Sequence, residues 1–130
     1  MIRGGYGPDV AFLDEALTAV FARFAVGPVA VSGFSDGASY ALSIGLANGD
    51  LFGHVLAWSP GFLAPSDRVG SPRVFVSHGT DDRVLPIDRC SRRLVPVLRA
   101  DGYDVRYDEF EGGHVVPREV LAASLDLLSG

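Results

Sequence analysis

The sequence predicts an α/β fold, with about four parallel strands and helices on both faces of the sheet. Three observations lead there. Short β-branched apolar runs alternate with longer stretches of helical spacing. Gly, Pro, Asn and Ser punctuate most of the junctions. The 130 residues, 48% of them apolar, suffice for one core, so residues 1–130 read as a single domain.

The elements follow in order. In "PDVAFLDEALTAVFARFAVGP", Val10, Leu13, Leu17, Val20, Phe21 and Phe24 make one apolar stripe at helical spacing. Pro8 and Asp9 suit the start of that helix, and Gly27 and Pro28 its end. "VAVSG", residues 29–33, is a short buried strand. A helix then runs from Ser35 to about Ala47 and closes at Asn48 and Gly49. "HVLAWS" (54–59) is the second strand, and "GFLAPSDRVGSP" is a loop. "RVFVSH" (73–78) is the third strand, followed by the loop "GTDDRVLP". Ile87 to about Ala100 is a helix with Arg89, Arg92, Arg93 and Arg99 on its solvated face. "DVRYDEF" (104–110) is the fourth strand, with imperfect alternation. After "EGGHVV", a last helix runs from Pro117 to Leu128, with the proline in its first turn. Strands separated by helices pair in parallel.

Composition narrows the function. A net charge of −5 disfavours nucleic acid and anionic membranes as partners. Cys90 is the single cysteine, which excludes an intrachain disulfide and fits a reducing, cytoplasmic setting. "MIRGGYGPD" has no apolar h-region, so no signal peptide is expected, and no run is long enough for a membrane span. The three histidines lack ligand spacing, so neither a metal nor another cofactor is implied.

In open α/β sheets, ligands bind beyond the carboxyl ends of the strands. Here those ends lead into Ser35, then "SPGF", then "HGTDD", then "EGGH". A nucleophile, an acid and a histidine thus fall along one sheet edge. A serine hydroxyl needs a histidine base, an acid to orient that base, and backbone N–H donors for the oxyanion. "GFSDG" is a G-x-S-x-G nucleophile elbow: the strand-to-helix turn strains Ser35, Gly33 and Gly37 permit close approach, and Asp36 N–H faces the oxyanion. The plainer alternative is a serine helix cap in an ordinary turn. Asp36 itself reads as a cap suited to the helix dipole.

Three stretches carry a family resemblance: "GFSDG" (33–37), "HGTDDRVLP" (78–86) and "EGGH" (111–114). From about Tyr6 onward the chain resembles the C-terminal half of an α/β-hydrolase, in the phospholipase/carboxylesterase group that includes acyl-protein thioesterases. The resemblance places the nucleophile on Ser35, the acid on Asp82 and the base on His114. Asp81 is the rival acid; motif spacing favours Asp82. His78, the motif's histidine, is then structural and bonds the acid loop. His54 and Cys90 read as ordinary core or surface residues, Cys90 within its helix and away from the loops. Phe34, Trp58, Phe62, Val84, Leu85 and Val115 lie on or beside these loops. They are candidates for an acyl pocket, with core packing as the alternative for each.

The chain also departs from the family. It supplies about four strands where the family sheet has eight, so the expected fold is a truncated one. No His-Gly-Gly signature supplies the second oxyanion donor, whose loss costs roughly 10²–10³ in turnover. "RGGYG" (3–7) is the candidate substitute. The strand at 29–33 is left with an open edge, which predicts a homo-oligomer, most simply a two-fold dimer. The expected activity is hydrolysis of carboxylic esters of short to medium acyl chains, by a carboxylesterase or lipolytic enzyme acting on small molecules. The alternatives are a thioesterase or a catalytically silent module for binding or assembly.

Overall fold

The computed structural model describes residues 29–65 and 67–129. The helix expected between Pro8 and Pro28 and the "RGGYG" segment lie outside them. The elements are β1 (Val29–Phe34), α1 (Asp36–Ala47), β2 (Phe52–Trp58), β3 (Arg73–Gly79), α2 (Ser91–Ala100), β4 (Val105–Phe110) and α3 (Arg118–Asp126). The strands form one sheet in the order β1-β2-β3-β4, with all three pairings parallel. The α/β architecture read from the sequence is therefore the observed one.

Sheet order and helix placement share one cause. Crossovers between parallel strands are right-handed, so strands laid down in one direction send their crossover helices to one face. Accordingly α1 and α2 cover the same side. Ala38, Ala41, Leu42 and Leu46 of α1 and Val95 and Leu98 of α2 pack on Val55, Ala57, Val74, Val76 and Val105. The other face is covered by α3, where Val120 and the following Leu127 pack on Leu56 and Phe75. Burying each large side chain contributes about 1.5–3 kcal/mol, so these two layers fix the sheet rigidly under its loops.

Three local readings need correction. The helix expected from Ile87 is interrupted: a single 3₁₀ turn, Ile87–Arg89, precedes α2, and Cys90 between them has φ −117° and ψ −101°. Cys90 thus caps α2 rather than lying within it. The last helix ends at Asp126 and tightens into a 3₁₀ turn, Leu127–Ser129. The third correction concerns glycine. A Cβ on Gly33 would lie 2.2 Å from the Gly37 carbonyl oxygen, whereas one on Gly37 would meet nothing within 4 Å. Only Gly33 is required by the close approach of β1 and α1.

The described residues of the β2–β3 connection form no helix, yet they are not loose. They cross α1, where the Ser39 hydroxyl accepts from Gly61 N–H (2.8 Å) and Phe62 N–H (3.1 Å) and the Ser43 hydroxyl accepts from Ala64 N–H (2.9 Å). Farther along, Val69 N–H donates to the Leu46 carbonyl at 2.9 Å. A serine stripe on the helix thus replaces the crossover helix as the loop's anchor.

Candidate active site

The carboxyl ends of β1, β3 and β4 converge on one spot. At the first, the chain reverses from β1 into α1 within one residue. Ser35 takes φ 62° and ψ −124°, a conformation that L-residues avoid. Such strain costs about 1–3 kcal/mol and persists only where the surroundings enforce it. Here Ser35 N–H is held by the Trp58 carbonyl at 3.0 Å, and the Ser35 carbonyl accepts from Ala38 and Ser39 N–H at 3.0 and 3.2 Å. The side chain is thereby lifted off the sheet. Asp36 N–H, at the first position of α1, meets no acceptor among the described residues and is available to a ligand anion.

His114 arrives from the loop after β4. Its Nε2 lies 2.8 Å from Ser35 Oγ, and its Nδ1 lies 2.6 Å from Asp82 Oδ2. Asp82 comes from the loop after β3. Its other oxygen accepts from Val84 N–H (2.9 Å) and Leu85 N–H (2.8 Å). Burial pushes the Asp82 carboxyl up, but the Leu85 N–H, His114 and the Val84 N–H together hold it below its ordinary value. Asp82 is therefore a carboxylate at neutral pH, and His114 Nδ1 is the donor toward it. That tautomer leaves Nε2 as an acceptor facing the serine hydroxyl. Asp81 is exposed; only its backbone N–H takes part, donating to Gly112 O at 2.9 Å.

The acid loop has its own support. His78 is fully buried, with Nε2 2.6 Å from the Leu85 carbonyl and 3.3 Å from Asp82 Oδ2, and Nδ1 2.7 Å from Ser91 Oγ. A carbonyl can only accept, so Nε2 carries the proton and Nδ1 accepts from Ser91 in the neutral ring. The loop of His114 is braced against β3: Thr80 N–H donates to Phe110 O at 2.8 Å, and a Cβ on Gly79 would strike the carbonyl oxygens of Gly113 and Gly112 at 2.3 and 2.4 Å.

The six expected pocket residues are placed unequally. The Phe34 ring lies over His114 with centroids 4.6 Å apart. Phe62, Val84 and Val115 are exposed large apolar side chains, and the half-buried Leu85 packs on Gly61. Trp58 instead packs into the core under α3 and gives its indole N–H to Ser124 Oγ at 3.2 Å. Its alternation on β2 puts it on the α3 face, the core-packing alternative for this residue. Cys90 is buried, and burial followed by the charge of nearby Asp82 pushes its thiol up. It thus lies closer to the acid loop than the sequence suggested. The reading passed over Ser39, Ser43 and Ser91; serines recurring on apolar helix faces were the signal. Among the described residues, no cluster of His, Cys, Asp or Glu could hold a metal ion.

No protein-family model matches the chain, and no curated protein does. Solved structures do. Esterase PE8 matches with a TM-score of 0.79 at 30% identity, over 90% of this chain and 57% of its own. A carboxylesterase from Bacillus cereus matches with a TM-score of 0.74 at 20% identity, over 90% and 57%. SOBER1 from Arabidopsis thaliana matches with a TM-score of 0.75 at 18% identity, over 92% and 62%. The chain spans less than two thirds of the length of each. In fold, the four-stranded parallel sheet and its helices match these α/β-hydrolase structures, esterases among them, over part of their length.

Proposed function

We propose that the site is that of a serine esterase cleaving carboxylic esters of short to medium acyl chains. One observation carries this reading: the unbroken hydrogen-bonded row from Ser35 Oγ through His114 to Asp82, with spacings of 2.8 and 2.6 Å, starting at a strained elbow. Ser35 Oγ attacks the acyl carbonyl as its proton passes to His114 Nε2. The carbonyl oxygen, now negative, is met by Asp36 N–H at the start of α1. Asp82 stabilises the imidazolium. The imidazolium gives its proton to the leaving alkoxide oxygen, the C–O bond breaks, and the alcohol departs from the acyl-enzyme. Water repeats the sequence, losing a proton to His114 and releasing the acid and free Ser35.

The test is hydrolysis of p-nitrophenyl esters of graded chain length by the wild type and Ser35→Ala, with fluorophosphonate labelling of Ser35. Turnover lost in the variant, with a mass shift on Ser35 in the wild type, supports the reading. An inert wild type with unlabelled Ser35 overturns it and leaves the silent-module alternative.

The dimer is proposed on separate grounds. Among the described residues β1 pairs on one side only, with β2, and Phe34 at its end is exposed. Such an edge suits strand addition by a second copy. Light scattering at micromolar concentration that returns a 13.8 kDa monomer rules it out. Among the described residues no helix is long and apolar enough to cross a membrane. The cytoplasmic setting is a proposal resting on the lone cysteine.

A further inference from the structure

Ser39 lies one turn beyond Ser35 on α1 and is fully buried. A serine inside a helix ordinarily returns its hydroxyl to the carbonyl four residues back. Here that bond, to the Ser35 carbonyl, is long at 3.5 Å. The hydroxyl oxygen also accepts from Gly61 N–H and Phe62 N–H, at 2.8 and 3.1 Å. A single side chain therefore joins the elbow to the turn after β2. That turn is aimed by Ser59, whose φ of 57° swings the chain off the sheet.

What the turn presents is apolar. Phe62 is 41% exposed and meets the edge of Tyr40, itself 45% exposed, at 5.7 Å between centroids. Gly61 lies under Leu85: a Cβ there would come within 3.2 Å of both Leu85 methyl carbons. Leu85 in turn gives its N–H to Asp82 and its carbonyl to His78. The Phe62–Tyr40 pair and, through Gly61, Leu85 thus border one turn, which is tied on one side to the helix of Ser35 and on the other to the loop of Asp82; this apolar border is the wall.

We propose that Ser39 determines acyl-chain selectivity by holding this wall in register with Ser35. The inference rests on the esterase reading and names the substrate class more closely, as esters of medium-length acyl chains. An acetyl group has no methylenes to lay on the wall; a hexanoyl or octanoyl group does. Ser39 is a positioning residue and takes no part in the bond changes. Ser43 supplies the internal comparison. Its hydroxyl donates to the Ser39 carbonyl at 2.7 Å and accepts from Ala64 N–H at 2.9 Å, the same chemistry one turn farther from Ser35.

The experiment compares kcat/KM for acetyl, hexanoyl and octanoyl p-nitrophenyl esters in the wild type, Ser39→Ala, Ser43→Ala and Phe62→Ala. Phe62 is exposed, so its variant tests the wall without threatening the fold. Ser39→Ala and Phe62→Ala are expected to lose on the order of tenfold in the octanoyl-to-acetyl ratio, the scale of a misplaced methylene contact. Ser43→Ala keeps the ratio. Labelling of Ser35 by a small fluorophosphonate keeps its rate in Ser39→Ala, and the Gly61 and Phe62 amides exchange faster. Equal loss at every chain length in Ser39→Ala, or an unchanged ratio in Phe62→Ala, overturns the inference and leaves the esterase reading standing. A wild type inert toward every ester, with Ser35 unlabelled, overturns both.

Discussion

Two polar networks meet at the start of α2, and they differ mainly in burial. Ser91 faces inward to His78, which leads on to Asp82 and His114; its neighbour Arg92 faces outward to Asp88 and Glu109. Both contain short bonds between ionisable groups. In the inner network the side chains of Asp82 and His78 are fully buried and that of His114 is 15% exposed. In the outer one, Arg92 is 43% and Asp88 79% exposed. Water can replace any partner in the outer network, so each bond there contributes little. In the inner network a lost partner stays lost, and each group is over-determined by its neighbours. Similar chemistry thus yields a positioned site in one place and a solvated surface in the other.

The comparison breaks if inner and outer variants behave alike. The largest expected effect is Ser35→Ala, which lowers ester turnover by roughly 10⁴-fold or more. Asp82→Asn follows, at roughly 10⁴-fold, because an amide N–H facing His114 Nδ1 imposes the wrong tautomer. Its counterpart Glu109→Gln leaves turnover within about twofold of the wild type, as distant surface changes do. Steady-state kinetics on one ester checks all three.

Stability sharpens the contrast. His78→Ala opens a cavity and strands the Leu85 carbonyl and the Ser91 hydroxyl, at a cost of about 3 kcal/mol. Arg92→Ala shifts the urea midpoint only slightly, because its partners are hydrated once it is gone. Equal midpoints for the two variants would contradict the burial account. A subtler effect lies in acid. The Arg92 and Tyr107 hydrogen bonds hold the Glu109 carboxyl down at about 2, against an ordinary 4.5. A carboxyl depressed in the folded state adds stability that is complete above 4.5 and is lost as pH falls toward about 2. Asp82 is depressed too, so it acts with the same sign. Thermal melts should therefore show the folded state weakening through this window, with a slightly flatter slope in Glu109→Gln.

The elbow offers a paired test of its own. Gly33→Ala drives a methyl into the Gly37 carbonyl and separates β1 from α1. Gly37→Ala meets open space and gains up to about 1 kcal/mol from helix propensity. A sequence reader sees two equivalent glycines in "GFSDG", and only the packing distinguishes them.

That asymmetry shows where sequence reasoning stops. The four strands and their intervening helices were legible, because periodicity and Gly/Pro punctuation are written in neighbouring residues. So was the line-up of Ser35, "HGTDD" and "EGGH" along one edge, since parallel strands bring all their carboxyl ends together. The choice of Asp82 over Asp81 rested on a motif, and in the fold it is Asp82 that is turned inward. For Trp58 the sequence left pocket and core open, because loop proximity and strand alternation point different ways, and the fold packs it under α3. The break at Cys90 was missed, since the helical pattern of Ile87–Ala100 runs straight through it.

Sequence alone therefore determined the α/β class, the strand boundaries to within about two residues, and the types of residue along the edge. Tertiary structure decided which of those residues meet. His114 bonds a serine 79 positions away and an aspartate 32 positions away. Ser39 and His78 likewise acquire their partners only when separate loops are packed together. Local pattern encodes backbone conformation. A hydrogen bond between distant loops depends on the relative position of whole elements, and the shared core settles that.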